Sequence, residues 1–168
     1  MRYALVFVVL LGCTKSDPVA KKDDPPAPAV KSVEHTAPAG APGWIDVDTT
    51  APLDTTLARF AKEAIAAGKK PYAYLHAGWC EPCQAIDKTH ATDAKMIDAF
   101  AGTAIARIDI DAAKDDALAA LGLSAGAIPV FYRLDASGKP TGDKIDGGAW
   151  GENIPDNMAP PLKAFFAK

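Results

Sequence analysis

The sequence predicts an α/β fold with a central mixed β-sheet flanked by helices. Three observations predict it. From residue 44 onward, short apolar runs of strand type alternate with stretches of helical spacing. Their order is β-α-β-α-β-α-β-β-α, which stacks helices on a sheet. The last two strands are joined by a turn, so they form a hairpin and make the sheet mixed.

Each element follows from its residues. "WIDVD" (44–48) is a short strand. "PLDTTLARFAKEAIAAGKK" (52–70) sets Leu57, Phe60, Ala61, Ala64 and Ile65 at helical spacing, and Gly68 stands where that helix ends. "PYAYLHA" (71–77), aromatic and apolar, is a buried strand. "CQAIDKTH" (83–90) is a helix, and "TDAKMIDAFAG" (92–102) is a second helical piece capped by Thr92 or Asp93. "TAIARIDID" (103–111) alternates Ile105, Arg107 and Asp109 against Ala104, Ala106, Ile108 and Ile110, as a strand does. "AKDDALAALGL" (113–123) is a short helix ending near Gly122. "PVFYRLDASGKPTGDKIDGG" (129–148) is the hairpin, its turn at Asp135 to Gly138. "NMAPPLKAFFAK" (157–168) closes the chain with a helix whose apolar face is Leu162, Phe165 and Phe166.

The first twelve residues differ from the rest. Arg2 is followed by an apolar run from Ala4 to Leu11 and then by Gly12, the pattern of a secretory signal. The run is far shorter than the ~20 residues a spanning helix needs. Leu10-Leu11-Gly12-Cys13 resembles the bacterial lipobox, in which the cysteine is acylated and becomes the new N-terminus. The expectation is a lipoprotein signal over 1–12, with Cys13 carrying palmitate and holding the chain on a lipid membrane. A plain signal peptide, or a buried helix with an incidental Cys13, is the other reading. Thr14 in place of an aspartate points to the outer rather than the inner membrane. Residues 14–43 hold six prolines and almost no large apolar side chain, so 13–43 is expected to be a lipid-anchored Pro/Ala-rich linker. Fully extended in polyproline form it would reach ~90 Å. His35 lies within it and is expected to be solvated. The folded unit is 44–168.

A formal charge of −3, with acids and bases mixed along the chain, argues against a nucleic-acid partner. With Cys13 lipidated, Cys80 and Cys83 are the two remaining thiols, in a compartment where disulfides persist.

"HAGWCEPC" (76–83) places Cys80 and Cys83 three positions apart, directly after a strand. If the pair opens a helix, Cys80 meets unpaired backbone N–H groups and the positive end of the helix dipole. That setting favours a thiolate, the species that attacks disulfides. Cys83 lies on the same helix face, and Pro82 suits a first turn where no N–H is needed. Cys80 is therefore the candidate nucleophile and Cys83 the resolving thiol. A zinc site lacks ligands, since only His76 and His90 are near, so no metal is expected. A permanently closed structural disulfide stays open as a reading, although its small loop would stabilise the fold little.

The segments "AYLHAGWCEPCQAIDKTH" and "AIPVFYRLDASGK" resemble the active-site and proline-hairpin segments of thioredoxins. Within that family they look closest to the C-terminal domain of the membrane thiol:disulfide interchange reductase. The resemblance covers residues 52–168 and implies a thioredoxin fold with a cis Ile128-Pro129 bond stacked against the cysteine pair. It also implies a client groove formed by Trp79, Ile128, Pro129 and the Gly147-Gly148 loop. No cofactor beyond the redox-active pair is expected. One departure stands out: where thioredoxins carry a buried aspartate, this chain has Tyr74, no base near neutral pH. Asp87, four residues after Cys83, is at an offset where the interchange-reductase domains carry an acid, so it is the candidate proton acceptor; a solvated helix carboxylate is the plain alternative. Glu81 opposes thiolate formation, and the Glu81-Pro82 dipeptide resembles that of tethered reductases in cytochrome c maturation. His76 is read as structural, and Trp150 stands either as a cap on the core or as an extension of the groove.

These readings together predict a lipid-anchored, periplasm-facing thiol-disulfide oxidoreductase, preferably a reductant. Its expected partners are disulfide-bearing envelope proteins and a membrane electron donor. An oxidase or isomerase of the same fold, or a tethered binding module with a static disulfide, is the alternative.

Overall fold

The computed structural model describes residues 43–168. The expected leader, Cys13 and the tether to residue 42 lie outside the described residues. The elements run β1 (Gly43–Asp46), α1 (Leu53–Ala66), β2 (Lys70–His76), α2 (Glu81–Thr89), α3 (Ala94–Ala99), β3 (Thr103–Asp109), α4 (Asp115–Ala120), β4 (Val130–Leu134), β5 (Pro140–Asp146), a 3-10 turn at Gly147–Ala149 and α5 (Pro155–Ala167). Gly43, assigned by composition to the linker, is the first residue of β1 and pairs with Ala104.

The five strands form one sheet in the order β1-β3-β2-β4-β5. β1, β3 and β2 are parallel; β4 and β5 are antiparallel additions. This is the mixed α/β sheet expected. β2 lies at its centre, and six of its seven residues are buried. Strand side chains alternate between faces, so the sheet carries a core on each side. On one face Ala73, Leu75, Ala106, Ile108, Val130 and Tyr132 meet Leu53, Leu57, Phe60 and Ala64 of α1 and Leu118 of α4. On the other, Tyr72, Tyr74, Ile105 and Phe131 meet Cys83 and Ile86 of α2, Met96 and Ala99 of α3, and Met158, Leu162, Phe165 and Phe166 of α5.

Ile65, expected on the apolar face of α1, is instead 47% exposed. The buried stripe is Leu53, Leu57, Phe60, Ala61 and Ala64, and Ile65 falls one position around the helix from it. At α3, Asp93 supplies the cap: its carboxylate accepts from the N–H groups of Lys95 (2.9 Å) and Met96 (3.1 Å). In the hairpin, Asp135 Oδ1 accepts from the N–H groups of Ser137 and Lys139. Gly138 sits at φ +79°, where a Cβ would come within 2.4 Å of the Leu57 and Ala58 backbone, so only glycine fits. α5 contains Pro160 and Pro161 in its interior, which removes two helical N–H donors. Its five buried side chains hold it in place, and Lys70 Nζ donates to the last carbonyls, those of Phe166, Ala167 and Lys168, at 3.1, 2.9 and 2.8 Å.

Candidate active site

The end of β2 leads straight into the cysteine pair. Cys80 is the N-cap of α2, and its Sγ accepts a hydrogen bond from the Cys83 N–H at 3.3 Å. Pro82 occupies the first turn of α2, where its missing N–H is not needed. The two sulfurs are joined, with an S–S distance of 2.10 Å. Cys80 keeps 4% of its surface exposed and Cys83 none, so an incoming sulfur reaches Cys80 first. On reduction, the N–H now aimed at Cys80 Sγ and the N-terminal end of α2 favour a thiolate there. Glu81, exposed beside it, brings a negative charge that acts the other way.

Trp79 is 67% exposed, and its indole is oriented by a bond from Nε1 to Asp111 Oδ2 at 2.9 Å. Asp111 in turn donates its N–H to Asp109 Oδ1 at 3.0 Å. The Ile128-Pro129 peptide is cis. Ile128 packs against the core that contains both cysteines. Gly147 donates its N–H to the Pro129 carbonyl at 3.0 Å, and a Cβ on Gly147 would lie 3.2 Å from Pro129 Cδ and 3.9 Å from the Trp150 ring. Gly148 donates its N–H to Asp146 Oδ1 at 2.9 Å. The Gly147-Gly148 turn is thus brought against Pro129. Trp150 is a cap on the core: it is 8% exposed, with Nε1 bonded to Asn153 Oδ1 at 3.2 Å.

Beneath the pair, Tyr74 is fully buried and stacked on Phe131, ring centroids 4.4 Å apart. Its hydroxyl donates to the Cys83 carbonyl at 3.4 Å. Burial, and then the negative charge of Asp87, push this phenol well above its ordinary range, so it is neutral. His76 also stacks on Tyr74 (5.2 Å); burial and then Arg107 lower its pKa. His90 packs against Trp44, ring centroids 4.1 Å apart and planes tilted by 31°. Its Nδ1 sits 3.0 Å from the Asp87 carbonyl and 3.3 Å from that of Ile86, so Nδ1 carries the hydrogen.

Asp87, on the α2 face one turn beyond Cys83, is paired with Arg107 of β3: Oδ2 accepts from Arg107 Nη2 at 3.0 Å. The other guanidinium arm reaches Asp46 of β1 at 3.2 Å. Asp87 Oδ1 and Arg107 Nε are buried and meet no hydrogen-bond partner among the described residues. Sequence reasoning missed Arg107, Asp46 and Asp111 as part of this region. The signal for Arg107 was its place in the strand alternation; its pairing opposite Tyr74 and Asp46 needed the register. Among the described residues no three His, Cys, Asp or Glu side chains gather as a metal set, and no helix is long and apolar enough to cross a membrane.

No family model and no curated protein matches the chain. Among solved structures, it is similar to a mutant thioredoxin from Halobacterium salinarum NRC-1, at 20% identity and a TM-score of 0.44 over 78% of this chain and 92% of that one. It is also similar to thioredoxin O1 from Arabidopsis thaliana in the oxidized state, at 18% identity and a TM-score of 0.42 over 62% and 86%. A third, Trichomonas vaginalis thioredoxin, gives 20% identity and a TM-score of 0.40 over 62% and 84%. At such distances the fold stands on the chain's own geometry. A β1-β3-β2-β4-β5 sheet, with a Cys80–Cys83 disulfide between β2 and α2 and a cis-proline ahead of β4, is a thioredoxin fold.

Proposed function

We propose that the chain is a membrane-tethered thiol-disulfide oxidoreductase that reduces disulfides in envelope proteins. The observation that carries this reading is the N-cap position of Cys80, its sulfur aimed at a helix N–H and reachable while Cys83 is sealed. In the reduced enzyme the Cys80 thiolate attacks a client disulfide. A Cys80–client bond forms, and the client's other sulfur leaves as a thiolate. Cys83 then gives its proton to Asp87 and attacks Cys80 Sγ; the Cys80–Cys83 bond forms and the second client sulfur leaves. Two electrons pass to the client, and the dithiol is the only redox group the step uses. Trp79, Ile128, Pro129, Gly147 and Gly148 form the groove for the client segment. A second dithiol, carried by a membrane electron donor, reopens the pair. Cys13, lipidated, holds the enzyme on the periplasm-facing surface of the envelope, with Thr14 favouring the outer membrane.

The reductant direction rests on the likeness of Glu81-Pro82 and Ile128 to reductases. The deciding experiment equilibrates Cys80–Cys83 against dithiothreitol and glutathione and, in parallel, exposes Cys83→Ser to envelope extract. A potential near or below about −270 mV, with trapped mixed disulfides, is the expected result. A potential near about −120 mV would mark an oxidase instead. A pair that traps nothing and resists exchange is a static disulfide on a docking module.

A further inference from the structure

We propose that Arg107 is a positioning residue for the second half of the exchange, holding Asp87 so that one carboxylate oxygen is kept for the Cys83 proton. This inference rests on the reading of Asp87 as the proton acceptor. The carboxylate is used unevenly. Oδ2 is tied to Arg107 at 3.0 Å, whereas Oδ1 is buried without a partner among the described residues. A buried acceptor left unpaired is costly, because it has given up water and gained nothing in return. Such an oxygen is explained if a transient donor serves it.

Several neighbouring donors are already committed, while Arg107 Nε and Trp44 Nε1 are buried without a partner among the described residues. The Tyr74 hydroxyl goes to the Cys83 carbonyl, His90 Nδ1 to the carbonyls of Ile86 and Asp87, and the Arg107 arms to Asp87 Oδ2 and Asp46. His76, neutral beside Tyr74, makes no hydrogen bond to Asp87 among the described residues, and Asp109 on β3 brings only negative charge to this region. Arg107 Nε and Trp44 Nε1 make no bond to Oδ1 among the described residues, and the donor that reduction adds on this side of α2 is the thiol proton of Cys83, one turn before Asp87.

Arg107 is suited to fix the carboxylate. Its side chain and that of Asp87 are 23% and 27% exposed, so their bond is shielded in a way that its contact with the 81%-exposed Asp46 is not. It also comes from β3, opposite Tyr74 in the sheet, and so holds Asp87 from outside its own helix. Without Arg107 the carboxylate is free to turn about its side-chain bonds, and Oδ1 loses its fixed direction.

The test separates the two halves of the exchange. The full chain, pre-reduced, is mixed with oxidised glutathione and quenched in acid at intervals; mass spectrometry then follows the Cys80–glutathione mixed disulfide and the closed pair. Arg107→Met should form the mixed disulfide within about twofold of the parent rate but close it at least about tenfold more slowly, a fraction of what a positioned acid–base group contributes. Arg107→Lys, which keeps a cation there, should recover closure to within about threefold. If Arg107→Met does not fold, Arg107→Gln carries the same expectation. Slow closure in Asp87→Asn with parent-like closure in the Arg107 variants would overturn this inference and leave the Asp87 reading standing. Parent-like closure in Asp87→Asn would overturn both. A chain that forms no mixed disulfide with glutathione would remove the oxidoreductase reading itself. Equal slowing of formation and closure would assign Arg107 to general structure and overturn the proposal.

Discussion

The Tyr74 hydroxyl donates to the Cys83 carbonyl oxygen at 3.4 Å, which places a neutral phenol under Cys83. At that length the bond is a weak one, and the ring's contribution comes mainly from its stacking on Phe131. Tyr74→Phe keeps the stack and removes only the hydroxyl. It should cost about 1 kcal/mol in urea denaturation and leave both exchange steps within about twofold. A large slowing of Cys83 attack would show instead that the phenol takes part in proton movement.

Gly147 lies tightly against Pro129, a Cβ there coming 3.2 Å from Pro129 Cδ, so that a larger side chain must displace its neighbour. Gly147→Val should push the turn away from Pro129 and deform the groove. Exchange with a cysteine-bearing peptide disulfide is expected to slow about tenfold, roughly 1.4 kcal/mol of lost docking. Reduction by dithiothreitol, which needs no groove, should stay near the parent rate. Equal slowing with both would mean that the turn supports the disulfide rather than the client.

Gly138 ties the hairpin to α1, since its φ of +79° and a 2.4 Å approach to backbone both exclude a Cβ. Gly138→Ala must move the hairpin turn or helix α1. A loss of about 3 kcal/mol is expected, from overpacking together with the left-handed backbone. The urea midpoint should fall with an unchanged slope. An unchanged midpoint would place the turn farther from α1.

His76 and His90 both have pKa values below their ordinary 6.5, in each case with burial as the leading cause. The unfolded chain therefore takes up protons near pH 6.5 that the folded chain refuses until lower pH. Their contribution to stability is present above pH 6.5 and is lost as pH falls through the lowered values. Thermal unfolding should show a lower midpoint at pH 5 than at pH 7. In His76→Phe and His90→Phe this difference should shrink. An identical slope in the double variant would assign the acid sensitivity to other groups.

The chemistry at Cys80 and Cys83 was legible because it is local: a spacing, a proline, and a strand running into a helix. The fold class was legible for the same reason, through runs and periods. What escaped depends on which strands lie side by side. Arg107 becomes a partner of Asp87 and Asp46 only once β3 is set between β1 and β2, and nothing in "TAIARIDID" specifies its neighbours. Asp111 joins Trp79 across 32 positions, through the end of that same strand. Ile65 was misplaced because helical spacing admits a wide stripe, while the sheet above α1 covers a narrower one that Ala61 and Ala64 fill. Trp150 could not be assigned from "GGAWGENIPDNMAP" alone, since its burial is decided by how the residues around Gly147 fold back on Pro129.

β2 is paired on both edges and covered on both faces, and the cysteines follow directly from its end. In terms of native-state amide exchange, such a strand belongs to the last unit to open, so its hydrogens should leave only with global unfolding. The sulfur pair is then mounted on the stiffest part of the molecule. Breathing falls instead to Ile128-Pro129 and the Gly147–Ala149 turn, joined by a backbone bond from Gly147 to Pro129. The sulfurs stay fixed while that turn yields.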